Sequence, residues 1–465
     1  MTEKVNKLMN DNPALRWTVL ILIALAMFFG YMFVDVMSPL KTLVESQRGW
    51  DSGVFGSYAA SELILNVCGF LILAGIILDK MGIRFTGILS CSLMVIGAGI
   101  KWIGVSDWFQ ETAMMDWLNS WWVAMPGSAK IACLGFMIFG CGCEMAGTTV
   151  SKTIAKWFKG KEMALAMGME MAIARLGVFA VMWISPIIAA KFNGVPSAVG
   201  FCAALLCIGL INFIIFAFMD TKFDKQLVSA GLATAEKDPE EEFHISDIGK
   251  IFKSKMFWIV ALLCVLYYSA IFPFQRYAPE YLDKTLGLLD ASGQSTGAGA
   301  RLFSCFPILA MILTPVLGGL LDKKGKGATM LMIGSLVMLI CHLGFAFLLP
   351  AFPSKGLALI IIVVLGVSFS LVPAALWPSV PKIIDEKVLG SAYSLIFWVQ
   401  NIGLCLVPLL IGFVLKATGG YTVPMVIFSC FGLIAFFISI LLKREDKKKG
   451  YGLELPNIKS DEEAK

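Results

Sequence analysis

The sequence predicts an all-α membrane protein of twelve transmembrane helices arranged as two pseudo-symmetric six-helix bundles. Three observations predict it. Of 465 residues, 58% are hydrophobic and only 15% charged, with a mean hydropathy of +0.80, a balance foreign to ordinary soluble domains. Apolar segments of about 20 residues, the length that crosses a bilayer core, recur along the whole chain. Finally, the pattern Gly75-Ile-Ile-Leu-Asp79-Lys80-Met-Gly82-Ile-Arg84 returns as Gly318-Gly-Leu-Leu-Asp322-Lys323-Lys-Gly325-Lys326, 243 residues further on.

In chain order the spans are placed at 17–39, 57–78, 86–106, 129–151, 162–187, 197–219, 256–275, 299–321, 328–349, 356–380, 390–415 and 422–442. The first is too long for the apolar region of a signal peptide and is followed by no small-residue cleavage site, so it is expected to remain in the mature protein. The second and third spans are joined by the first copy of the repeated pattern, the eighth and ninth by the second. At a helix exit, glycine permits close helix approach and an aspartate can accept from the next helix's N-terminus. Gly75, Asp79, Lys80, Gly82, Arg84, Gly318, Asp322, Lys323 and Gly325 are therefore expected to form gating hairpins.

A second repeat runs at an offset of 226: Gly140 matches Gly366, Lys156 matches Lys382, and Arg175-Leu-Gly177 matches Asn401-Ile-Gly403. The two offsets differ by 17 residues (243 minus 226), which a long polar loop at 107–128 absorbs, since its counterpart at 350–355 is a short Pro-containing turn. The chain accordingly divides into an N-terminal bundle (1–219), a linker (220–255), a C-terminal bundle (256–443) and a tail (444–465). The linker carries Asp238-Pro-Glu-Glu-Glu242, is partly amphipathic over 245–252, and is expected to turn its charges to solvent.

Lys and Arg crowd alternate loops, at Lys80 and Arg84, at Lys152, Lys156, Lys159 and Lys161, at Lys323, Lys324 and Lys326, and from Lys443 to Lys449. The positive-inside rule then places both termini in the cytoplasm, and the short tails suggest a bacterial inner membrane. The net charge of +5 is topological and calls for no nucleic-acid partner. Twelve cysteines without a C-x-x-C pair and two histidines suggest neither a disulfide framework nor a metal site. No cofactor is implied, and no nucleophile–base constellation marks an enzyme.

An ionisable residue deep in a span costs roughly 2.5–3.5 kcal/mol on insertion scales, so it should face a partner or a wet cavity. Glu144, in Gly140-Cys-Gly-Cys-Glu-Met-Ala-Gly147 of the fourth span, lies about 12 Å deep at about 1.5 Å per residue. Arg175, in Ala174-Arg-Leu-Gly177 of the fifth, lies at a comparable depth. Opposite charges on adjacent helices either grip the two ends of a zwitterion or bridge each other. Their symmetric positions, Ser370 and Asn401, are neutral, which suits a clamp confined to one half.

The repeated hairpin resembles the loops between helices two and three and between eight and nine of the major facilitator superfamily. The blocks Ala155-Lys-Trp-Phe-Lys-Gly-Lys-Glu162, Ile173-Ala-Arg-Leu-Gly177, Ala375-Leu-Trp-Pro378, Leu389-Gly-Ser-Ala-Tyr393 and Gln400-Asn-Ile-Gly-Leu404 resemble its lysosomal dipeptide transporter branch. This resemblance implies a secondary transporter, with Glu144 holding the amino end and Arg175 the carboxylate end of a dipeptide. It also implies facilitated diffusion, hence a uniporter. The N-terminal tail lacks an acidic dileucine signal, so neither lysosomal sorting nor an accessory protein partner is carried over. The Glu-x-x-Glu-Arg pattern of proton-coupled oligopeptide carriers is missing from the sequence.

Further lining candidates are Tyr58 and Glu62 in the second span, Tyr267, Tyr268, Phe274 and Gln275 in the seventh, Trp377 in the tenth, and Trp398, Gln400 and Asn401 in the eleventh. Each is also an ordinary packing residue. Asp35, Glu62 and Lys101 form a candidate outer gate or a structural ion pair, whereas Arg276 and Arg301 are expected to snorkel at helix ends. Rival readings are an organic-anion or amino-acid exchanger, a proton symporter, and a receptor or scaffold that keeps a transporter fold.

Overall fold

The computed structural model describes residues 8–158, 161–192, 194–229, 249, 251–384 and 389–456, without the side chains of 164 and 389–391. Much of the expected linker (230–248 and 250), including part of its amphipathic stretch, and the end of the tail (457–465) lie outside the described residues.

The principal helices are α1 (Pro13–Asp35), α2 (Lys41–Arg48), α3 (Ser52–Leu65), α4 (Leu71–Val105), α5 (Asp107–Gln110), α6 (Ala113–Ser120), α7 (Gly127–Trp157), α8 (Met163–Lys191) and α9 (Val195–Ser229). They continue as α10 (Lys255–Thr285), α11 (Ala298–Phe303), α12 (Cys305–Lys324), α13 (Gly327–Leu343), α14 (Lys355–Ile383), α15 (Leu389–Thr418) and α16 (Thr422–Lys449). Among the described residues, eleven helical runs are long and apolar enough to cross a membrane. The sequence separates spans at 57–78 and 86–106, but the structure holds both in one run of 54 residues, Ser52–Val105. That run is not straight. Gly69 (φ 117°) and Gly82 (φ 76°, ψ 171°) break its helical backbone, and the Gly82 conformation is one that a side chain would strain.

The chain forms two compact units. One contains Met1–Val36, Ile64–Val181 and Ile188–Glu240; the other contains Met37–Leu63, Met182–Ile187 and Glu241–Lys465.

In the first unit the helix ends are tied by ion pairs. α1 starts on an Asn12 cap, whose side chain accepts from Ala14 N, with Pro13 in the first turn where its missing N–H costs nothing. Arg16 then grips Glu162 at 2.8 and 2.9 Å and holds that carboxyl below its usual range. α9 runs ten residues past 219, where the sequence placed the start of a solvated linker. The reason is Asp220: fully buried, it accepts from Lys156 Nζ at 2.8 and 2.9 Å and from Trp157 Nε1 at 2.8 Å. Asp224, one turn on, accepts from Lys156 at 2.6 Å and Arg84 at 2.9 Å.

The stretch expected to be a polar loop is largely apolar and folded. Thr112 caps α6 by accepting from Met115 N, and Met115 and Leu118 are buried. Lys130 Nζ reaches back to Leu118 O at 2.5 Å and to Trp121 O, satisfying carbonyls at the C-terminal end of α6.

In the second unit the segment 37–63 is held by charge. Lys41 and Glu280, both almost fully buried, meet at 2.6 Å. Glu280 also pairs with Lys284 at 2.8 Å and accepts from Tyr421. Burial pushes the Asp51 carboxyl up, but Lys416 at 2.8 Å and the Val54 and Gly53 N–H groups outweigh it and leave the carboxyl below its usual range. The segment assigned to the tail is partly structured too. α16 continues to Lys449, and 452–455 then dock on the α12–α13 turn. Lys326 N donates to Glu454 O and Gly327 N to Leu453 O, each at 2.9 Å, while Lys382 Nζ donates to Gly452 O and Leu455 O, each at 3.1 Å.

Candidate functional site

Contacts of α1 with α8 and with α7 build the site in the first unit. Gly177 faces the Phe28 carbonyl, where a Cβ would collide, so α8 comes down onto α1. The guanidinium carbon of Arg175, two residues earlier, lies 5.8 Å from the centre of the Tyr31 ring, a cation–π distance. Gly30 serves the other side: a Cβ there would touch Met94 Sδ at 3.5 Å and Cys143 Sγ at 3.9 Å. α1 thereby also approaches α7 beside Glu144. Arg175, Glu144 and Glu170 lie within electrostatic reach of the Tyr31 hydroxyl, and Glu170 within reach of Arg175. Tyr31, Glu144, Glu170 and Arg175 are each half-buried.

The sequence singled out Glu144 and Arg175 but missed Tyr31 and Glu170. Glu170 carries the same signal, an acid inside an apolar run (Met-Gly-Met-Glu-Met), so the insertion-cost argument could have found it. Tyr31 carries none, because an aromatic near the end of a span is commonplace.

The other candidates fall elsewhere. Tyr58 is buried against Trp50 and Phe55. Glu62 pairs with Arg276, which also donates to Ala59 O at 3.2 Å. Arg276 was expected to snorkel; instead a buried carboxylate on segment 37–63 holds it. Lys101 is wholly buried, with Nζ 4.2 and 4.3 Å from the centres of the Phe33 and Phe136 rings.

In the second unit, Tyr267 is buried and donates to Ser368 O. Trp377 Nε1 donates to the Tyr268 hydroxyl at 3.1 Å, and Trp377 stacks on Phe397 at 4.8 Å. Gln400 accepts from the Cys264 thiol at 3.2 Å. Asn401 is buried with its Nδ2 unpaired. Tyr268, Trp377 and Phe397 thus form an aromatic wall, whereas Tyr267 and Gln400 are engaged by packing partners.

Of the hairpin residues, Asp79 accepts from Lys152 at 2.6 Å and Arg84 serves Asp224. Gly82 and Gly325 have φ of 76° and 70°, in the region that favours glycine. Gly75 and Gly318 do not pack as expected: a Cβ at either would meet nothing within 4 Å, so neither makes a close helix contact here. Asp322 is half-buried and Lys323 exposed, in the last turn of α12.

Opposite charges sunk in the spans of a helical membrane protein mark either a solute pathway or a structural pairing. Comparison with known proteins makes the class definite. The chain belongs to the Major Facilitator Superfamily, whose model matches residues 112–408. It is 27% identical to the "Lysosomal dipeptide transporter MFSD1" of Danio rerio, over 99% of this chain and 94% of that protein. It is 23% identical to the "Probable sulfoacetate transporter SauU" of Cupriavidus necator, over 70% of this chain and 76% of that protein. Among solved structures, the nucleoside transporter NupG superposes with a TM-score of 0.69 at 14% identity, covering 92% of this chain and 99% of that one. The chain is a membrane transporter, not an enzyme.

Proposed function

We propose that the protein carries small zwitterions, dipeptides above all, down their gradient by alternating access. The observation that carries this reading is the mixed charge around Tyr31. Arg175 receives the substrate carboxylate as a bidentate pair, and the nearby side chains of Glu144 and Glu170 hold the ammonium. The similarity to lysosomal dipeptide transporters supports the same substrate class. In this reading Ser52–Val105, at about 1.5 Å per residue far longer than a bilayer core of about 30 Å, crosses twice by turning at Gly82, which makes twelve crossings in two halves. The basic hairpins and both termini then face the cytoplasm, and the membrane is a bacterial inner membrane.

The test is uptake into proteoliposomes from a dipeptide library, set against single amino acids and dicarboxylates. Acetylating the dipeptide's N-terminus or amidating its C-terminus is expected to weaken binding about tenfold or more, because a buried partner left unpaired costs about 1.5–3 kcal/mol. Tight binding of N-acetylated dipeptides would remove Glu144 and Glu170 from the role given them. Uptake is expected to proceed without an imposed pH gradient. Accumulation that requires inward-directed protons would overturn the uniporter reading and make Glu144 and Glu170 the proton sites to examine.

A second reading, an organic-anion carrier using Arg175 alone, is favoured by the similarity to a sulfoacetate transporter. Two carboxylates beside a single guanidinium oppose it, since they repel a substrate that brings no cation. Uptake of dicarboxylates that free dipeptides fail to inhibit would select it.

A further inference from the structure

The connection between α4 and α7 is a folded element that displays tryptophan. Trp108, Trp117, Trp121 and Trp122 are 56%, 59%, 44% and 62% exposed, and Val123 is 81% exposed. Exposure of this kind usually accompanies slack chain, but here the backbone is pinned. Met115, Leu118 and Met125 are buried beneath it, Gly127 N donates to the Asn119 side chain at 2.7 Å, and Lys130 holds the end of α6 while its Nζ sits 4.1 Å from the centre of the Trp121 ring. Trp122 even adopts a φ of 45°, which a bulky residue accepts only when its surroundings impose it. A patch of ordered, exposed indoles is an interaction surface rather than chance.

We infer that this element is a membrane-interface anchor, with α6 lying along the bilayer surface and Trp117, Trp121 and Trp122 seated among the headgroups of a zwitterionic leaflet. Position argues for the bilayer as the occupant. The element joins the ends of two antiparallel spans, so it sits at the level where their apolar length stops, and indoles concentrate at that boundary because one edge is apolar and the N–H is not. The exposed surface is also continuous with that of the spans: Trp102 (39%) and Phe201 (40%) on α4 and α9 border the same groove as Trp108. Charge selects the lipid. The segment's own ionisable residues are Asp107, Glu111 and Asp116, which an anionic leaflet would repel, whereas interfacial helices that seek anionic lipid present lysine and arginine.

The experiment is fluorine NMR of full-length protein carrying 5-fluorotryptophan in phosphatidylcholine nanodiscs. Signals are assigned by the single variants Trp117→Phe, Trp121→Phe and Trp122→Phe, each checked for an unchanged spectrum elsewhere. A nitroxide near the lipid carbonyl is expected to broaden all three signals more than one at the acyl terminus, while a water-soluble gadolinium chelate has little effect. Replacing part of the phosphatidylcholine with phosphatidylglycerol is expected to weaken the lipid effect. Signals broadened by the chelate and untouched by lipid nitroxides would overturn the proposal and leave the surface to a soluble protein partner. A lipid effect strengthened by phosphatidylglycerol would overturn the charge argument.

Discussion

Arg175→Ala is expected to abolish dipeptide binding and uptake while leaving a folded protein. Removing one member of a desolvated, charge-assisted pair costs about 2–5 kcal/mol, on the order of a hundredfold or more in affinity. The protein itself should tolerate the change, because Arg175 is only half-buried and the approach of α8 to α1 rests on Gly177. Arg175→Lys keeps the charge but loses the planar fork, so its affinity should fall between those of wild type and the alanine variant. Glu144→Gln should cost binding of the same order through the ammonium end. Dipeptide-induced thermal stabilisation of purified protein reads all three. Stabilisation equal to that of wild type in both Arg175→Ala and Glu144→Gln would show that the clamp is elsewhere.

Asp220→Ala is expected to give the largest loss of stability among single changes at the helix ends of the first unit. It strips the partner from Trp157 Nε1 and from one side of Lys156, with Arg84 3.7 Å away. Breaking a buried pair costs about 3–5 kcal/mol; Asp224 still serves both cations and Arg84 is partly exposed, so about 3 kcal/mol, the low end, is expected. Thermal unfolding in detergent should place Asp220→Ala well below Asp220→Asn, which retains an acceptor for Trp157. Asp224→Ala, at a partly exposed site, should change little. Equal losses at 220 and 224 would contradict the view of Asp220 as the hub.

Much of this protein was legible before folding because the membrane penalises charge so heavily. An acid or an arginine within an apolar run must have a reason to be there, and that argument alone found Glu144 and Arg175, the two residues on which the proposed clamp rests. The same argument applied more widely would have included Glu170. It could not have found Tyr31, whose place follows from the packing of α1 against α7 and α8. Nor could it tell that Glu62 meets Arg276, or that Asp220 is buried within α9 instead of opening a linker.

By itself, then, the sequence determined that the chain is a polytopic helical membrane protein of this superfamily. Apolar length, internal repeats and motif spacing are local or periodic properties that survive without coordinates. Only the tertiary structure decided which side chains meet. Helices that are apolar nearly all round carry no polar stripe to announce the face they bury, so partner choice is settled by where glycines such as Gly142 and Gly177 let backbones approach. The 107–126 segment shows the same limit outside the spans. Its charges read as a loop, and only the burial of Met115 and Leu118 beneath it fixes which tryptophans face outward.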